Sequence, residues 1–253
     1  MIKKNYLENL NNSKKPFIIY KSNKGFDLYT DFSKKIILTK NNIKKFINQS
    51  TKLKSKKKET DLFIGFFGYE ILNNLIGVKV KKQKGLKFPK GVFYKPETKK
   101  KLPNKLNYKN LGIVRSNKLF KINIDKSSYK VVFDKYKKKI KSGETYQIKI
   151  CTKYSNKAQI DALDFFCRLV KSNMAPEAFI IKDRDYSIIS CSPENLINKK
   201  NDFITTKPIA GTLKKTKKLN KMKALAFFKK NIKESKEHNM IVDMERSDLS
   251  RIC

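Results

Sequence analysis

The chain has 253 residues, of which 60 are Lys or Arg and 22 are Asp or Glu, giving a formal net charge of +38 with one His, four Cys and no Trp. A hydrophobic share of 39%, with 17 Phe and 11 Tyr, can build a packed core and excludes wholesale disorder. No run approaches the roughly 18 apolar residues that a membrane helix needs, and the polar start from Met1 to Glu8 lacks the apolar segment of a secretory signal, so the cytoplasm is the expected compartment.

Cys151, Cys167, Cys191 and Cys253 are far apart and form no C-x-x-C pair, so neither a zinc site nor a disulfide framework is expected. The charge raises nucleic acid as a partner, because phosphate contacts are made by basic side chains. Against this, the basic residues are almost all Lys. Only Arg115, Arg168, Arg184, Arg246 and Arg251 could form the bidentate contacts that recognition favours. Lys, Asn and Ile are in joint excess, as an AT-biased coding sequence produces, and runs such as Lys54 to Lys58, Lys99 to Lys101 and Lys214 to Lys218 read as solvated loops. No specific nucleic-acid partner and no membrane partner is expected, only salt-sensitive RNA adhesion from the net field.

In chain order, Pro16 to Tyr20 and Asp61 to Tyr69 read as strands, the second apolar and broken by glycines that permit close backbone approach. They predict a mainly β region over 1–118. Between about Lys81 and Lys118, Lys, Pro and Gly without a sustained period predict a long excursion and a boundary before a second region, 119–253. Tyr129, Val132, Phe133, Tyr136 and Ile140 recur at helical spacing and end at Ser142-Gly143, where Gly suits a C-cap. Thr145 to Thr152 alternates with period two and predicts a strand with Gln147 opposite its packed face. A second amphipathic helix is expected over Ile160 to Val170, then a hairpin of Ala178 to Lys182 and Tyr186 to Cys191. A short strand at Phe203 to Thr206 leads into the Pro208-bearing turn through Thr212, where Gly211 can bring backbone N–H groups to an anion. Two helices close the chain. The last, about Lys233 to Glu245, carries Glu234, Glu237, His238 and Ile241 at spacings of three and four.

Four ordered blocks carry a resemblance. Gly143-Glu144-Thr145-Tyr146-Gln147, Ser192-Pro193-Glu194, Thr206 to Thr212 (TKPIAGT), and Lys236 to Asp243 running into Arg246-Ser247-Asp248-Leu249 resemble the chorismate-utilising enzymes. These are component I of anthranilate synthase, component I of aminodeoxychorismate synthase, and the isochorismate and salicylate synthases. Gly65 to Glu70 is similar to the family's N-terminal Gly-Tyr block. The resemblance implies an α+β fold, a two-sheet antiparallel sandwich with helices outside, here truncated at its C-terminal side.

Chorismate is a dicarboxylate whose C4 hydroxyl leaves while a nucleophile adds at C2, so a site needs a cation for the ring carboxylate and an acid for the hydroxyl. By resemblance, Mg2+ is the cofactor and Glu237 one of its ligands, oxygen donation being the norm for that hard cation. Glu194 is the implied general acid at C4, His238 lies near the reacting ring, and Ala210, Gly211 and Thr212 hold substrate. Without the blocks, Glu237 reads as a salt-bridge partner of Lys233, His238 as a packed or solvated side chain, and Glu194 as a turn carboxylate.

Gln147 stands where isochorismate and salicylate synthases carry a Lys base. An amide cannot act as a base, so amination is expected over hydration. Ala210 occupies the position where aminodeoxychorismate synthases commonly carry a nucleophilic Lys, and His238 follows the anthranilate pattern. The expected reaction is therefore amination to anthranilate and pyruvate, with ammonia from a glutamine amidotransferase subunit. Aminodeoxychorismate synthase component I is the alternative, and a Lys-rich RNA-associated protein or a non-catalytic paralogue are the rivals. The sequence departs from the family at Lys236, Ser247 and Leu213-Lys214-Lys215, and no Leu-Leu-Glu-Ser block of the tryptophan feedback site is found. Family members continue past the equivalent of Cys253 with a second Mg2+-binding Glu and a Gly-Ala-Pro-Lys loop, so a fragment is expected.

Overall fold

The computed structural model describes residues 6–51, 58–78, 88–108, 119–156, 158, 160–173 and 175–253. Two compact units divide the chain, one made of Met1–Tyr108 with Phe166–Cys253 and the other of Lys109–Phe165.

In the first unit, α1 (Tyr6–Asn12) precedes β1 (Phe17–Ser22) and β2 (Gly25–Ile37), followed by α2 (Ile43–Thr51), β3 (Ile64–Phe67), α3 (Tyr69–Leu75) and β4 (Gly91–Leu102). The second unit holds β5 (Lys121–Ile122), α4 (Lys126–Lys141) and β6 (Tyr154–Ser155), and the division falls within α5 (Ala162–Ser172). Back in the first unit come β7 (Glu177–Lys182), β8 (Ser187–Ser192), β9 (Asn198–Lys200), β10 (Phe203–Thr205), α6 (Lys221–Lys230) and α7 (Ile232–Leu249).

A six-stranded antiparallel sheet runs β3-β4-β2-β1-β7-β8. Phe17, Ile18 and Ile19 of β1 are all buried, because a central strand covered on both faces carries a continuous apolar run rather than an alternating one. On one face Ile18, Tyr29, Val92, Tyr94 and Ile181 form a core cluster. Elsewhere Leu38, Ile43, Phe46 and Ile71 pack together where α2 and α3 meet the end of β2. The ring of Phe166 from α5 meets Phe26 edge-on at 6.0 Å. At Gly65, a Cβ would lie 1.9 Å from the Val92 carbonyl oxygen, so the pairing of β3 with β4 needs the bare backbone there.

The predicted hairpin, the helix ending at Gly143, the helix near 160–170 and the two closing helices are all present. The α+β expectation holds, although the described residues form one six-stranded sheet and two two-stranded ribbons. Residues 1–118 and 119–253, expected as separate regions, share this sheet: β1 pairs with β7, Ile18 opposite Ile181.

Two expectations are corrected. The excursion over 81–118 contains β4, twelve residues long, which pairs with both β2 and β3. Pro96, in the stretch whose Lys, Pro and Gly suggested an excursion, sits opposite Phe32 at the irregularity in the β2 ladder, where the missing N–H costs little. Lys99 is therefore not a loop residue; it is largely buried and pairs with Asp27 at 3.3 Å and Glu59 at 3.0 Å. The flanks 81–87 and 109–118 lie outside the described residues, as does most of the Lys54 to Lys58 run. Thr145 to Thr152 is not a strand, since only Tyr154–Ser155 joins a ladder. Alternation specifies a face but not a partner, and an extended segment without a ladder partner is not held as a strand.

Candidate functional site

Glu194 ends the β7–β8 hairpin. Its N–H donates to the Ser192 hydroxyl at 3.2 Å, and that hydroxyl donates to the Glu194 carbonyl at 2.8 Å, closing a local turn around Pro193. The Glu194 side chain reaches onward, its Oε1 accepting the Ile209 N–H at 2.8 Å. Two of the sequence blocks are thus joined by one bond.

Residues 206–211 form no helix or strand, and Pro208 contributes to this: its ring blocks helical geometry at Lys207 and removes a donor. Among the described residues no strand pairs with this strip. It is held through side chains, with the Thr206 hydroxyl lying 2.6 Å from Glu245 Oε2 on α7 and 2.9 Å from the Leu196 carbonyl oxygen. At the other end Gly211 has φ +74 and packs so closely on α7 that a Cβ would lie 2.6 Å from Glu234 Oε2 and 2.8 Å from the Phe228 ring. Only glycine combines that backbone conformation with that contact.

Between strip and helices is a cavity of about 290 Å3, whose lining includes Ala210, Phe228, Glu234, Ser235, His238 and Asn239. Helix α7 is placed by its N-cap, the Asn231 side chain accepting the Glu234 N–H at 3.2 Å, while the Ser235 hydroxyl donates to the Phe228 carbonyl at 2.8 Å and ties α7 to α6. On the other side of the strip a second cavity of about 440 Å3 is bordered by Glu177, Pro193, Asn195, Lys207 and Ile209. The Glu177 carboxylate there accepts from the Tyr20 hydroxyl and, at 3.2 Å, from the Asn195 side-chain amide. Burial and then Glu177 push the Tyr20 hydroxyl well above the ordinary tyrosine range.

The structure therefore brings Ala210 and His238 to one cavity, Gly211 against Glu234, and Glu194 onto the Ile209 backbone. Thr212 is exposed at the end of the strip, and Glu237 is exposed on α7. Lys233, the partner that Glu237 would have without the blocks, lies 3.8 Å from Glu234 instead. Gln147 belongs to the other unit, where its side chain is exposed and its carbonyl accepts the Thr145 hydroxyl at 3.1 Å. Among the described residues no three His, Cys, Asp or Glu side chains gather as a metal cage. Glu237 is a single exposed carboxylate, the donor type that Mg2+ prefers but one ligand of the several that the ion takes. Of the cysteines, Cys167 is buried, and burial raises the Cys191 thiol above its ordinary value, as expected for structural thiols.

Glu245 and Ser235 were not singled out from sequence. The stripe Glu234, His238, Ile241, Glu245 follows helical spacing and carries the signal for Glu245.

Among curated proteins, the chain is 35% identical over 120 residues to aminodeoxychorismate synthase component 1 of Bacillus subtilis (strain 168), covering 47% of this chain and 26% of that protein. It is 34% identical over 131 residues to anthranilate synthase component 1 of Arthrobacter globiformis, covering 49% and 25% respectively. The chain thus spans only about a quarter of the length of these relatives. The crystal structure of anthranilate synthase component I from Streptococcus pneumoniae TIGR4 superposes with a TM-score of 0.62 at 20% identity, covering 93% of this chain and 60% of that one, so the fold is shared. A family model described as chorismate binding enzyme matches residues 4–253, and the chain belongs to that family.

Proposed function

We propose that these residues form part of an enzyme that aminates chorismate to anthranilate, with ammonia delivered by a glutamine amidotransferase subunit. The observation that carries this reading is the cavity walled by both Ala210 and His238. An apolar methyl stands where the alternative branch commonly presents a Lys nucleophile, so that position supplies no amine and this reading takes the nucleophile from outside the chain.

In this reading ammonia adds at C2, the C4 hydroxyl leaves as water with a proton from Glu194, and pyruvate is then eliminated to give the aromatic ring. Glu194 is steered by the Ile209 N–H, which fixes one carboxylate oxygen and leaves the other for substrate. Gly211 and Thr212 hold substrate by backbone N–H and hydroxyl, and His238 faces the ring from α7. Gln147 cannot activate water as a base. Mg2+, when bound through Glu237, would neutralise the ring carboxylate. With one metal-binding carboxylate, the 253 residues alone are expected to hold Mg2+ and chorismate weakly, and efficient turnover by this polypeptide alone would overturn that part of the reading. The cytoplasm is the compartment that suits it, and among the described residues no helix is long and apolar enough to cross a membrane.

Aminodeoxychorismate synthesis is the second reading, favoured by the 35% identity to the Bacillus subtilis protein of that name. The deciding experiment supplies the protein with chorismate, Mg2+ and an ammonium salt and identifies the product. Anthranilate is expected. Aminodeoxychorismate moves the protein to the second branch, isochorismate refutes the role given to Gln147, and no product with tight, salt-dependent RNA binding favours the rival.

A further inference from the structure

The contacts of residues 206–211 define a register. Thr206 meets Glu245 and Gly211 meets Glu234, so the strip runs antiparallel to α7. Eleven helical residues rise about 16 Å, and a five-residue step of non-helical chain can reach at most about the same distance, so both contacts can form at once with little slack. A point one helical turn in from Glu234 then falls opposite residues 209 and 210, and His238 does share a cavity wall with Ala210.

We propose that Glu245 is a positioning residue: by holding the Thr206 hydroxyl it sets the register of the strip along α7, which presents Ala210 to His238 and the Ile209 N–H to Glu194. The strip has no ladder partner, so its order depends on these few side-chain contacts. Thr206 has one proton for two acceptors, Glu245 and the Leu196 carbonyl. The carboxylate is the stronger acceptor, and water can serve the carbonyl of the largely exposed Leu196. A shift of the strip by one residue would reverse the alternation that puts Thr206, Pro208 and Ala210 inward and Lys207 and Ile209 outward. It would also carry the Ile209 N–H away from Glu194.

The catalytic consequence rests on the chorismate reading, so two readouts are needed. The first is amide hydrogen exchange at Ile209, which requires no substrate. Glu245→Ala and Thr206→Val are each expected to accelerate it about tenfold, and Glu245→Gln, which keeps an acceptor oxygen, to restore it. Thermal midpoints should stay unchanged. Wild-type exchange in both disrupted variants, or equal acceleration in Glu245→Gln, overturns the clamp.

The second readout is the kinetic split in the protein. Glu245→Ala should raise KM for chorismate about tenfold with a smaller fall in kcat, and Glu245→Gln should stay near wild type. Unaltered kinetics in a variant with accelerated exchange overturns the positioning role. A wild-type protein that neither binds nor converts chorismate sinks the chorismate reading, while exchange at Ile209 still decides the clamp.

Discussion

Asp183 is almost fully buried at the hairpin turn, yet it carries a complete set of donors. Lys35 Nζ lies 2.5 Å away, the Tyr94 hydroxyl donates to it, and the Arg184 N–H donates at 2.7 Å. The Tyr94 and Tyr186 hydroxyls are 2.7 Å apart, and Lys35 sits over both rings at 5.8 and 5.9 Å. Burial alone would raise the Asp183 carboxyl, but the Lys35 ammonium, the Tyr94 hydroxyl and the Arg184 N–H outweigh it and hold the group below the ordinary carboxylate range. Burial pushes the Tyr186 hydroxyl up to about 12, so both phenols stay protonated as donors at neutral pH. Because the folded carboxyl ionises at lower pH than the unfolded one, its contribution is complete above about pH 4 and is lost as pH falls through the folded value. Asp183→Asn should cost about 1–3 kcal/mol at pH 7, since donors lose a charged acceptor while half-exposed Lys35 can turn to water. Urea denaturation at pH 7 and pH 3 checks this: the difference between wild type and variant should shrink at the lower pH.

At the scale of elements, β3 is an edge strand whose four residues pair, among the described residues, with β4 alone. Gly65→Ala places a methyl 1.9 Å from the Val92 carbonyl, a backbone atom that cannot rotate away. The expected cost is about 1–3 kcal/mol, paid by separating β3 from β4. Amide exchange should accelerate over Ile64–Phe67 while β1 and β7 keep their protection, because those central strands hold the sheet independently of its edge. Wild-type exchange over β3 in the variant would refute the account. The glycine was legible in sequence as a point of close approach, but its partner was not: β4 was concealed by its Pro and the Lys run, and Pro96 fits because it lies beyond the end of the β3 ladder at Tyr94 and beside the irregularity in the β2 ladder. The converse error arose at Thr145 to Thr152, where good alternation lacked a partner.

For the whole molecule, the +38 charge is the dominant long-range term. Every carboxylate is already counted in that figure, so ion pairs such as Asp27 with Lys99 and Lys101 leave it unchanged, and most of the described lysines face water. Self-repulsion on this scale opposes the compact state and is screened once the Debye length falls to about 8–10 Å. The thermal midpoint should therefore rise as NaCl increases from about 20 to 300 mM, whereas a balanced surface would show little change. A flat or falling midpoint in a salt titration would mean that local pairs, not the net field, govern stability.

The sequence by itself determined what short-range physics records. The β7–β8 hairpin, the capped helices α4 and α7, and the ordered blocks around Glu194, Ala210, Gly211, Glu237 and His238 were legible because periodicity, caps and Pro or Gly constraints act over a few residues. Only the tertiary structure decided which distant residues meet. Placing β1 beside β7, seating Gly211 on Glu234, joining Glu194 to Ile209 and binding Thr206 to Glu245 across 39 positions are choices of partner. A local pattern states which face a residue presents, but the identity of what that face touches is settled by the packing of the whole sheet and its helices.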